Sequence, residues 1–299
     1  MKIIILLSTY NGEKYLDEQL KSIYTQTVYD DLECIVRDDG STDNTLNILN
    51  NWKDKLKITI YAERNIGVAK SFLTLLQYAP TADYYAFCDQ DDVWDSDKLE
   101  IGISMIKDLK QPSLYTCNLK YVDEDLQSLG CNRHTDRLKE LTLSRAFTCC
   151  CAEGCTMIFN KELHKYLKIH KIETSAMHDM TVLLCALMLG EVVYDPITHI
   201  QYRQHCNNVS QRNSLKSKFL QRYRLWFKSS TVSVDKQAQE LLKKYGDNIR
   251  DNSKKKVLEE IANYKRGINR FKILISNQYK SEYKKETRSF KIRILLGLA

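Results

Sequence analysis

The 299-residue sequence predicts an α/β fold with a mainly parallel sheet flanked by helices, followed by a basic helical C-terminal extension. Short apolar runs typical of buried strands alternate with segments whose apolar residues recur at helical spacing. Polar clusters follow several of these runs, and the carboxyl ends of parallel strands share one edge of a sheet. We therefore expect side chains from distant parts of the sequence to meet in one crevice.

The elements of the first ninety residues alternate regularly. The apolar stripe Leu16, Leu20 and Ile23 is typical of their helices. Strands joined by helical crossovers pair in parallel. The predicted elements are strand 2–7, helix 15–26, strand 32–37, helix 42–52, strand 58–62, helix 67–78 and strand 84–88.

The pattern beyond residue 112 is less regular, and from residue 217 it is helical and basic. We expect residues 251–256 to separate two or three helices in that region. The other predicted elements are strand 113–119, strand 154–159, a helix from 161, helix 177–189, strand 192–194 and strand 197–202.

The composition is that of a globular protein, with 43% hydrophobic and 28% charged residues. No run of eighteen apolar residues occurs, so we expect no spanning helix. The start, MKIIILLSTYNG, lacks a signal-peptide cleavage site and is interpreted as a buried strand of a cytosolic chain. The cysteines are most simply small buried hydrophobes there, and residues 149–155 lack the paired cysteine spacing of a zinc site.

Charge divides the chain into two predicted domains, 1–211 and 212–299. The first contains 22 Lys/Arg and 30 Asp/Glu, whereas the second contains 23 Lys/Arg and 8 Asp/Glu. Regions of opposite charge meet different partners. The acidity of the first domain argues against nucleic acid as a partner.

The sequence Asp-Gln-Asp-Asp at 89–92 directly follows the fourth predicted strand. Three carboxylates within four residues repel one another unless a cation or basic groups lie among them. Oxygen ligands favour Mg²⁺ or Mn²⁺. The alternative is a solvated acidic turn that caps the helix beginning near Asp97.

A second acidic segment, Asp-Asp-Gly-Ser-Thr-Asp at 38–43, follows the second strand. A carboxylate at a strand end can accept the N3–H of a pyrimidine base. Gly40 permits a tight turn, and Ser41 or Asp43 can cap the next helix. A strand-to-helix loop with a good N-cap is the simpler interpretation, and the two are compatible.

Four segments in this order resemble glycosyltransferase family 2: Ser-Thr-Tyr-Asn-Gly-Glu at 8–13, the segment 38–43, Arg-Asn-Ile-Gly at 64–67 and Asp-Gln-Asp-Asp-Val-Trp at 89–94. Residues 154–160, 178–179 and 202–205 also resemble family positions, so the resemblance covers roughly 1–210. It implies the GT-A fold, a Rossmann-like sheet. Cys88 before the acidic run and the late Tyr-Arg-Gln-His resemble rhamnosyltransferase-type members, which build bacterial polysaccharides, often from dTDP-rhamnose.

The resemblance implies a role for each matching residue. Six positions would hold the nucleotide, ribose or phosphates of the donor: Thr9, Glu13, Asp38 or Asp39, Asn65 and Lys70. Asp89 and Asp91 would form the DxD pair, with Asp91 preferred as the direct ligand of Mn²⁺ or Mg²⁺. Arg203 and His205 would close on the diphosphate, and His205 would be an additional metal ligand.

Asp179 would be the general base that deprotonates an acceptor hydroxyl. For His178 we prefer a hydrogen bond that orients Asp179, because one positioned base is enough; the alternative is a catalytic role of its own. A cation at the diphosphate stabilises the leaving group as its charge grows.

The implied reaction is sugar transfer with inversion. We expect transfer of one sugar and not polymerisation, because the Gln-x-x-Arg-Trp signature of processive synthases is missing. The donor would be dTDP-rhamnose or a UDP-sugar, and the acceptor a polysaccharide or polyprenyl-linked saccharide. The alternatives are a catalytically silent scaffold in a polysaccharide assembly complex and a nucleotidyltransferase.

The basic region mixes cationic and aromatic residues at 216–228 and ends in an apolar segment at 290–299. Such a pattern is typical of a helix that lies at an anionic membrane surface. It would place the enzyme on the inner face of the cell membrane, next to a lipid-linked acceptor. The alternative is a set of helices packed on the catalytic domain.

Overall fold

The computed structural model describes residues 1–132, 141–149, 152–170, 177–205, 233–281 and 283–299. In this part of the chain nine strands form one sheet. The strands are β1 Ile3–Thr9, β2 Leu32–Asp38, β3 Ile58–Ala62, β4 Tyr84–Cys88, β5 Val93–Trp94, β6 Ser113–Val122, β7 Ser128–Asn132, β8 Ile158–Asn160 and β9 Glu191–Arg203.

The helices flank the sheet and form the C-terminal region. The described α-helices are α1 Leu16–Tyr24, α2 Thr45–Asn51, α3 Val68–Tyr78, α4 Lys98–Ile106, α5 Leu143–Thr148, α6 Lys161–Ile169, α7 His178–Leu189, α8 Val234–Tyr245, α9 Asn252–Ala262, α10 Asn269–Ile275 and α11 Lys284–Leu296.

The strand order is β3-β2-β1-β4-β8-β6-β9-β5, and β7 pairs with β6. Strands β1 to β4 are parallel, and β8 runs antiparallel between β4 and β6. The chain moves outward from β1 through β2 to β3 and then returns to place β4 on the other side of β1. This reversal of strand order is the position at which open α/β sheets bind their ligands.

The seven elements predicted for the first ninety residues are confirmed, each with its ends within three residues of the expected position. Strand β1 is almost wholly buried, because helices cover both faces of the sheet. The predicted α/β fold is therefore confirmed.

Three predicted elements differ from the structure. Residues 154–156 form a 3₁₀ turn, and only Ile158–Asn160 pairs in the sheet. Residues 251–256 do not separate helices, because the Asp251 side chain caps α9 and the helix continues to Ala262. The two strands predicted between 192 and 202 are one strand, β9. Its pairing with β6 skips residues after Asp195, which pairs with Cys117, so the apolar pattern is interrupted there.

Two apolar clusters lie on the two faces of the sheet. One packs α1, α2 and α4 against the strands. The other joins α3 and α7 to the C-terminal helices, with Val182, Tyr245, Ile261 and Phe290 buried together. The hydroxyl of Tyr245 also donates to the carbonyl of Tyr166 at 3.1 Å. Residues 233–299 therefore include helices packed on the sheet domain, as one of the two sequence interpretations expected.

The predicted domain boundary at 211/212 and the basic segment 216–228 lie outside the described residues, so the boundary stays a prediction. Among the described helices, none is both long and apolar enough to cross a membrane.

Candidate active site

A cavity of about 850 Å³ opens at the carboxyl ends of β1 and β4. Seven of the residues selected from the sequence line it: Thr9, Asp39, Asn65, Asp89, Asp91, Asp179 and His205. The sequence reasoning missed others, among them Tyr121 from β6 and Glu153, which precedes the 3₁₀ turn. These two follow no strand end of the first ninety residues, so the strand-end rule gave no signal for them.

Four selected residues are not in the cavity lining. Glu13 accepts the N–H of Asn44 at 2.9 Å and so holds the loop before α2. Lys70 is exposed on α3. Asp38 and Arg203 are buried behind the cavity wall. The structure therefore places these four around the cavity and not in it.

Two buried carboxylates, Asp38 and Asp39, lie at the end of β2 and in the loop that follows it, and both have partners within the protein. Asp38 accepts from the hydroxyl of Thr9 at 2.9 Å and from the N–H of Ser41 at 2.9 Å. Asp39 forms an ion pair with the buried Arg37. It also accepts the backbone N–H groups of Ile66 at 2.8 Å and Gly67 at 2.9 Å.

Gly40 makes this loop possible. Its φ of +83° is rare for residues with a side chain, and an added Cβ would lie 3.2 Å from the backbone nitrogen of Asn65. The segment that follows β3 can therefore pack against the loop. As a result, Asp39 and Asn65 line the same wall of the cavity.

The acidic run after β4 is arranged differently. Asp91 contacts His205, with 2.8 Å between Oδ2 and Nε2. Asp92 is fully buried; one of its oxygens accepts the N–H of Arg203 at 3.1 Å, and the other has no hydrogen-bond partner. An oxygen of Asp89, an oxygen of Asp92 and the Sγ of Cys155 lie within 4.8 Å of one another.

Burial is the main reason why Asp89 and Asp92 are weaker acids than ordinary aspartates. It raises the pKa of Asp89 to about 7, and the negative charges of Asp91 and Asp179 raise it further. Burial also raises the pKa of Asp92 well above its ordinary value. Carboxylates held this close without sufficient compensation fit a divalent cation with oxygen ligands.

A buried lysine lies close to this run. Lys98, the first residue of α4, is fully buried, and its Nζ is 3.4 Å from the centre of the Trp94 ring. Burial lowers the pKa of Lys98, whereas the nearby carboxylate of Asp92 raises it. A lysine at the start of a helix is usually exposed, so the sequence gave no signal for it.

Arg203 holds the acidic run in place from behind. Its Nε donates to the carbonyl of Asp91 at 2.8 Å, and its guanidinium forms an ion pair with Glu18. The guanidinium also lies 4.5 Å from the centre of the Tyr15 ring. In this structure Arg203 therefore positions the loop 89–92 and does not face the cavity.

Asp179 lies in the first turn of α7 and lines the cavity. Its carboxylate accepts its neighbour Met180's N–H at 2.6 Å. Burial raises its pKa to about 6, and the negative charge of Glu153 contributes. Near neutral pH, Asp179 is therefore a stronger base than an ordinary aspartate while remaining mostly ionised.

His178 does not hydrogen-bond Asp179, so that expectation was wrong. Its buried ring stacks on Phe72 with 4.1 Å between ring centres, and both ring nitrogens lack a hydrogen-bond partner. Burial lowers its pKa to about 3, so the ring is neutral. A Cβ at Gly154 would lie 2.4 Å from Nε2 of His178, so the His178 ring packs directly against the backbone of the 3₁₀ turn.

The fold and the cavity together define an α/β enzyme of the GT-A class. Staphylococcus aureus TarS, solved in complex with UDP-GlcNAc, superimposes with a TM-score of 0.63. The alignment covers 100% of this chain and 80% of that one at 23% identity. The expected GT-A fold is confirmed.

The family follows from sequence comparison. The model of glycosyl transferase family 2 matches residues 4–167. The dTDP-rhamnosyl transferase RfbG of Shigella flexneri is 30% identical over 228 residues, which are 71% of this chain and 76% of that protein. The chain belongs to glycosyltransferase family 2 and is a glycosyltransferase, as its motifs indicated.

A second relative matches a shorter part of the chain. The UDP-Glc:alpha-D-GlcNAc-diphosphoundecaprenol beta-1,3-glucosyltransferase WfgD of Escherichia coli is 36% identical over 107 residues. The match covers 35% of this chain and 40% of that protein.

Proposed function

We propose that the protein transfers one sugar, with inversion, from a nucleotide-sugar to a lipid-linked saccharide or polysaccharide at the inner face of the cell membrane. The observation that carries the proposal is the meeting of Asp39, Asp89, Asp91 and Asp179 in one cavity at the carboxyl ends of parallel strands. These residues come from three separate segments of the chain. The cavity is large enough for a ligand the size of a nucleotide-sugar.

Mn²⁺ or Mg²⁺ is proposed as the cofactor, held by Asp89 and Asp91 with His205 as a further ligand. The fit rests on the acidic run, where burial and neighbouring carboxylates leave negative charge uncompensated. When bound, the cation neutralises the charge that develops on the departing nucleoside diphosphate. Arg203 contributes by fixing the backbone of Asp91 through its carbonyl.

Asp179 is proposed as the general base. It lines the same cavity as the acidic run and is supplied by a separate element, the first turn of α7. Its raised pKa, about 6, suits removal of a proton from an acceptor hydroxyl near neutral pH. The hydroxyl oxygen then attacks the anomeric carbon as the bond to the diphosphate breaks, and the proton stays on Asp179.

The loop after β2 is proposed to hold the nucleotide, with Thr9, Asp39 and Asn65 on that wall of the cavity. The name of the Shigella relative supports dTDP-rhamnose as the donor, and that of the Escherichia coli relative supports a UDP-sugar. Both donors carry a pyrimidine base. The second relative's name also supports an undecaprenyl diphosphate-linked acceptor.

The test is transfer by the purified full chain with dTDP-rhamnose and UDP-glucose, supplied with a polyprenyl diphosphate-linked N-acetylglucosamine acceptor. We expect transfer with Mn²⁺ or Mg²⁺, its loss with EDTA, and release of a nucleoside diphosphate. Asp91→Ala should reduce turnover at least about a hundredfold, because a ligand of the charge-stabilising ion is lost. Asp54→Ala, an exposed carboxylate outside the cavity, is the matched control.

Release of pyrophosphate would assign nucleotidyl transfer instead. Turnover that survives both EDTA and Asp91→Ala would overturn the proposed metal site.

A further inference from the structure

The described C-terminal helices expose an unusual number of large apolar side chains. On α10 and the residue before it, Ile268, Phe271 and Ile275 are 66%, 65% and 79% exposed. Their spacing of three and four residues places them on one helix face. Lys272 is exposed on the same face. The opposite side of α10 is packed, since Ile273 is fully buried.

Three more exposed apolar side chains lie at the C-terminal end of α11 and just after it. Leu295, Leu296 and Leu298 are each more than half exposed. The two helices are antiparallel neighbours, because the Nζ of Lys291 donates to the carbonyl of Leu274 at 2.6 Å and Gly297 lies beside Arg270. Six of the fourteen exposed large apolar residues of the described chain thus fall within residues 268–298. We call these six the apolar face; it comprises Ile268, Phe271, Ile275, Leu295, Leu296 and Leu298.

The helices that carry the apolar face are rich in positive charge. Residues 265–299 contain ten Lys/Arg and two Glu. Arg266, Lys284, Lys285 and Arg288 are exposed, as is Lys272 between the apolar residues. A second copy of this face would bring these like charges together, which disfavours a symmetric dimer. Anionic lipid headgroups would instead neutralise them while the apolar side chains enter the acyl boundary.

We infer that the apolar face of α10 and α11 docks the protein on an anionic lipid bilayer. This inference goes beyond the proposed reaction, because binding to lipid needs neither donor nor catalytic residues. It rests on the membrane location in the proposed function and extends the sequence expectation, which assigned the segment 290–299 to a membrane surface, to Ile268, Phe271 and Ile275.

The experiment measures binding of the full chain to phosphatidylcholine vesicles with and without 30% phosphatidylglycerol, by sedimentation in the absence of nucleotide-sugar. We expect binding to the anionic vesicles that high salt weakens. The double variant Phe271→Ser/Ile275→Ser should bind at least about tenfold more weakly, because two apolar side chains no longer leave water. Ile169→Ser removes an equally exposed residue, 71% exposed on α6, and should bind like the wild type.

Thermal unfolding of both variants checks that they fold. Equal vesicle binding by the double variant and the wild type would overturn the inference, as would failure of the wild type to bind anionic vesicles. Self-association of the wild type that Phe271→Ser/Ile275→Ser abolishes, without vesicle binding, would assign the face to a second copy. Sugar transfer to a water-soluble saccharide acceptor tests the proposed function separately, because it does not depend on lipid.

Discussion

Two acidic loops lie at the same edge of the sheet, and they differ in how far neighbouring groups compensate their buried carboxylates. After β2, Asp39 meets Arg37 and two backbone N–H groups. After β4, Asp92 keeps one buried oxygen without a hydrogen-bond partner, and burial and neighbouring charge raise the pKa of Asp89 to about 7.

The difference separates two uses of a buried carboxylate. In the loop after β2 the buried carboxylates of Asp38 and Asp39 both accept hydrogen bonds, and Asp39 also lies beside the charge of Arg37, so neither is left uncompensated. The loop after β4 lowers the stability of the folded chain at neutral pH, because the raised pKa values of Asp89 and Asp92 mean that these two groups ionise less readily than in the unfolded chain. A cation that binds only the folded chain would stabilise it most at such a site, where carboxylates in a cavity lower the free energy of unfolding.

The largest effect on turnover is expected from Asp179→Asn, which removes another buried carboxylate of the cavity. The amide cannot accept a proton, so turnover should fall by about 10²–10⁴-fold. The same substitution removes a buried charge, so the melting temperature near pH 7 should rise. Steady-state kinetics and calorimetry on one preparation check both.

Asp54→Asn, on the surface, should change neither quantity and serves as the control. Turnover of Asp179→Asn above a tenth of the wild-type value would contradict the role of this residue.

The second test removes a compensated carboxylate from the loop after β2. Asp39→Ala leaves the guanidinium of Arg37 buried with less opposite charge, which should lower the free energy of unfolding by about 3–5 kcal/mol. Urea denaturation measures the change. Asp91→Ala, a partly exposed carboxylate of the other loop, is the matched variant and should be destabilised much less. Equal losses in the two variants would remove the distinction between the loops.

The third test uses pH. Asp179 has a raised pKa of about 6, and its ionised form is the base, so turnover should fall about tenfold per pH unit below 6. Stability should change in the opposite direction. The folded state binds the proton more tightly than the unfolded state, so stability gained from Asp179 increases as pH falls from about 6 towards 4.

A pH–rate profile and a pH series of melting temperatures should therefore diverge in this range for the wild type. An Asp179→Asn variant whose residual turnover shows the same acid limb would assign that limb to another group.

The smallest effect is expected from Glu63→Gln. Glu63 is the second carboxylate near Arg37, but its side chain is 36% exposed, so water compensates for its loss. The free energy of unfolding should change by less than about 1 kcal/mol. A loss as large as that of Asp39→Ala would show that Arg37 depends on both carboxylates equally.

The fold was predictable where each element carries its own pattern. The first seven elements have apolar runs or stripes that local spacing identifies, and the strand-end rule then placed Thr9, Asp39 and Asp89 on one cavity. Asn65 was selected through family resemblance and lines the same cavity. Asp179 was located through family resemblance, because nothing in its local sequence shows which cavity the start of α7 faces.

Contacts between distant segments were not predictable. Arg203 is buried against Tyr15 and Glu18, and Lys98 is buried beside Trp94, although both residue types usually lie at the surface. The close packing of the His178 ring against Gly154 joins two separate segments of the chain, and the sequence around Gly154 does not show it. Such features depend on tertiary packing and not on local pattern.

The interrupted pairing of β9 sets the position of His205. After Asp195 pairs with Cys117, the next pair is Asn118 with Thr198, so β9 carries extra residues before it reaches the cavity. Side chains alternate between the two faces of a strand, so the number of extra residues decides which ones face the cavity. Deleting a single residue such as Ile197 would exchange the faces of all later side chains in β9 and turn the chain end that carries His205 away from Asp91.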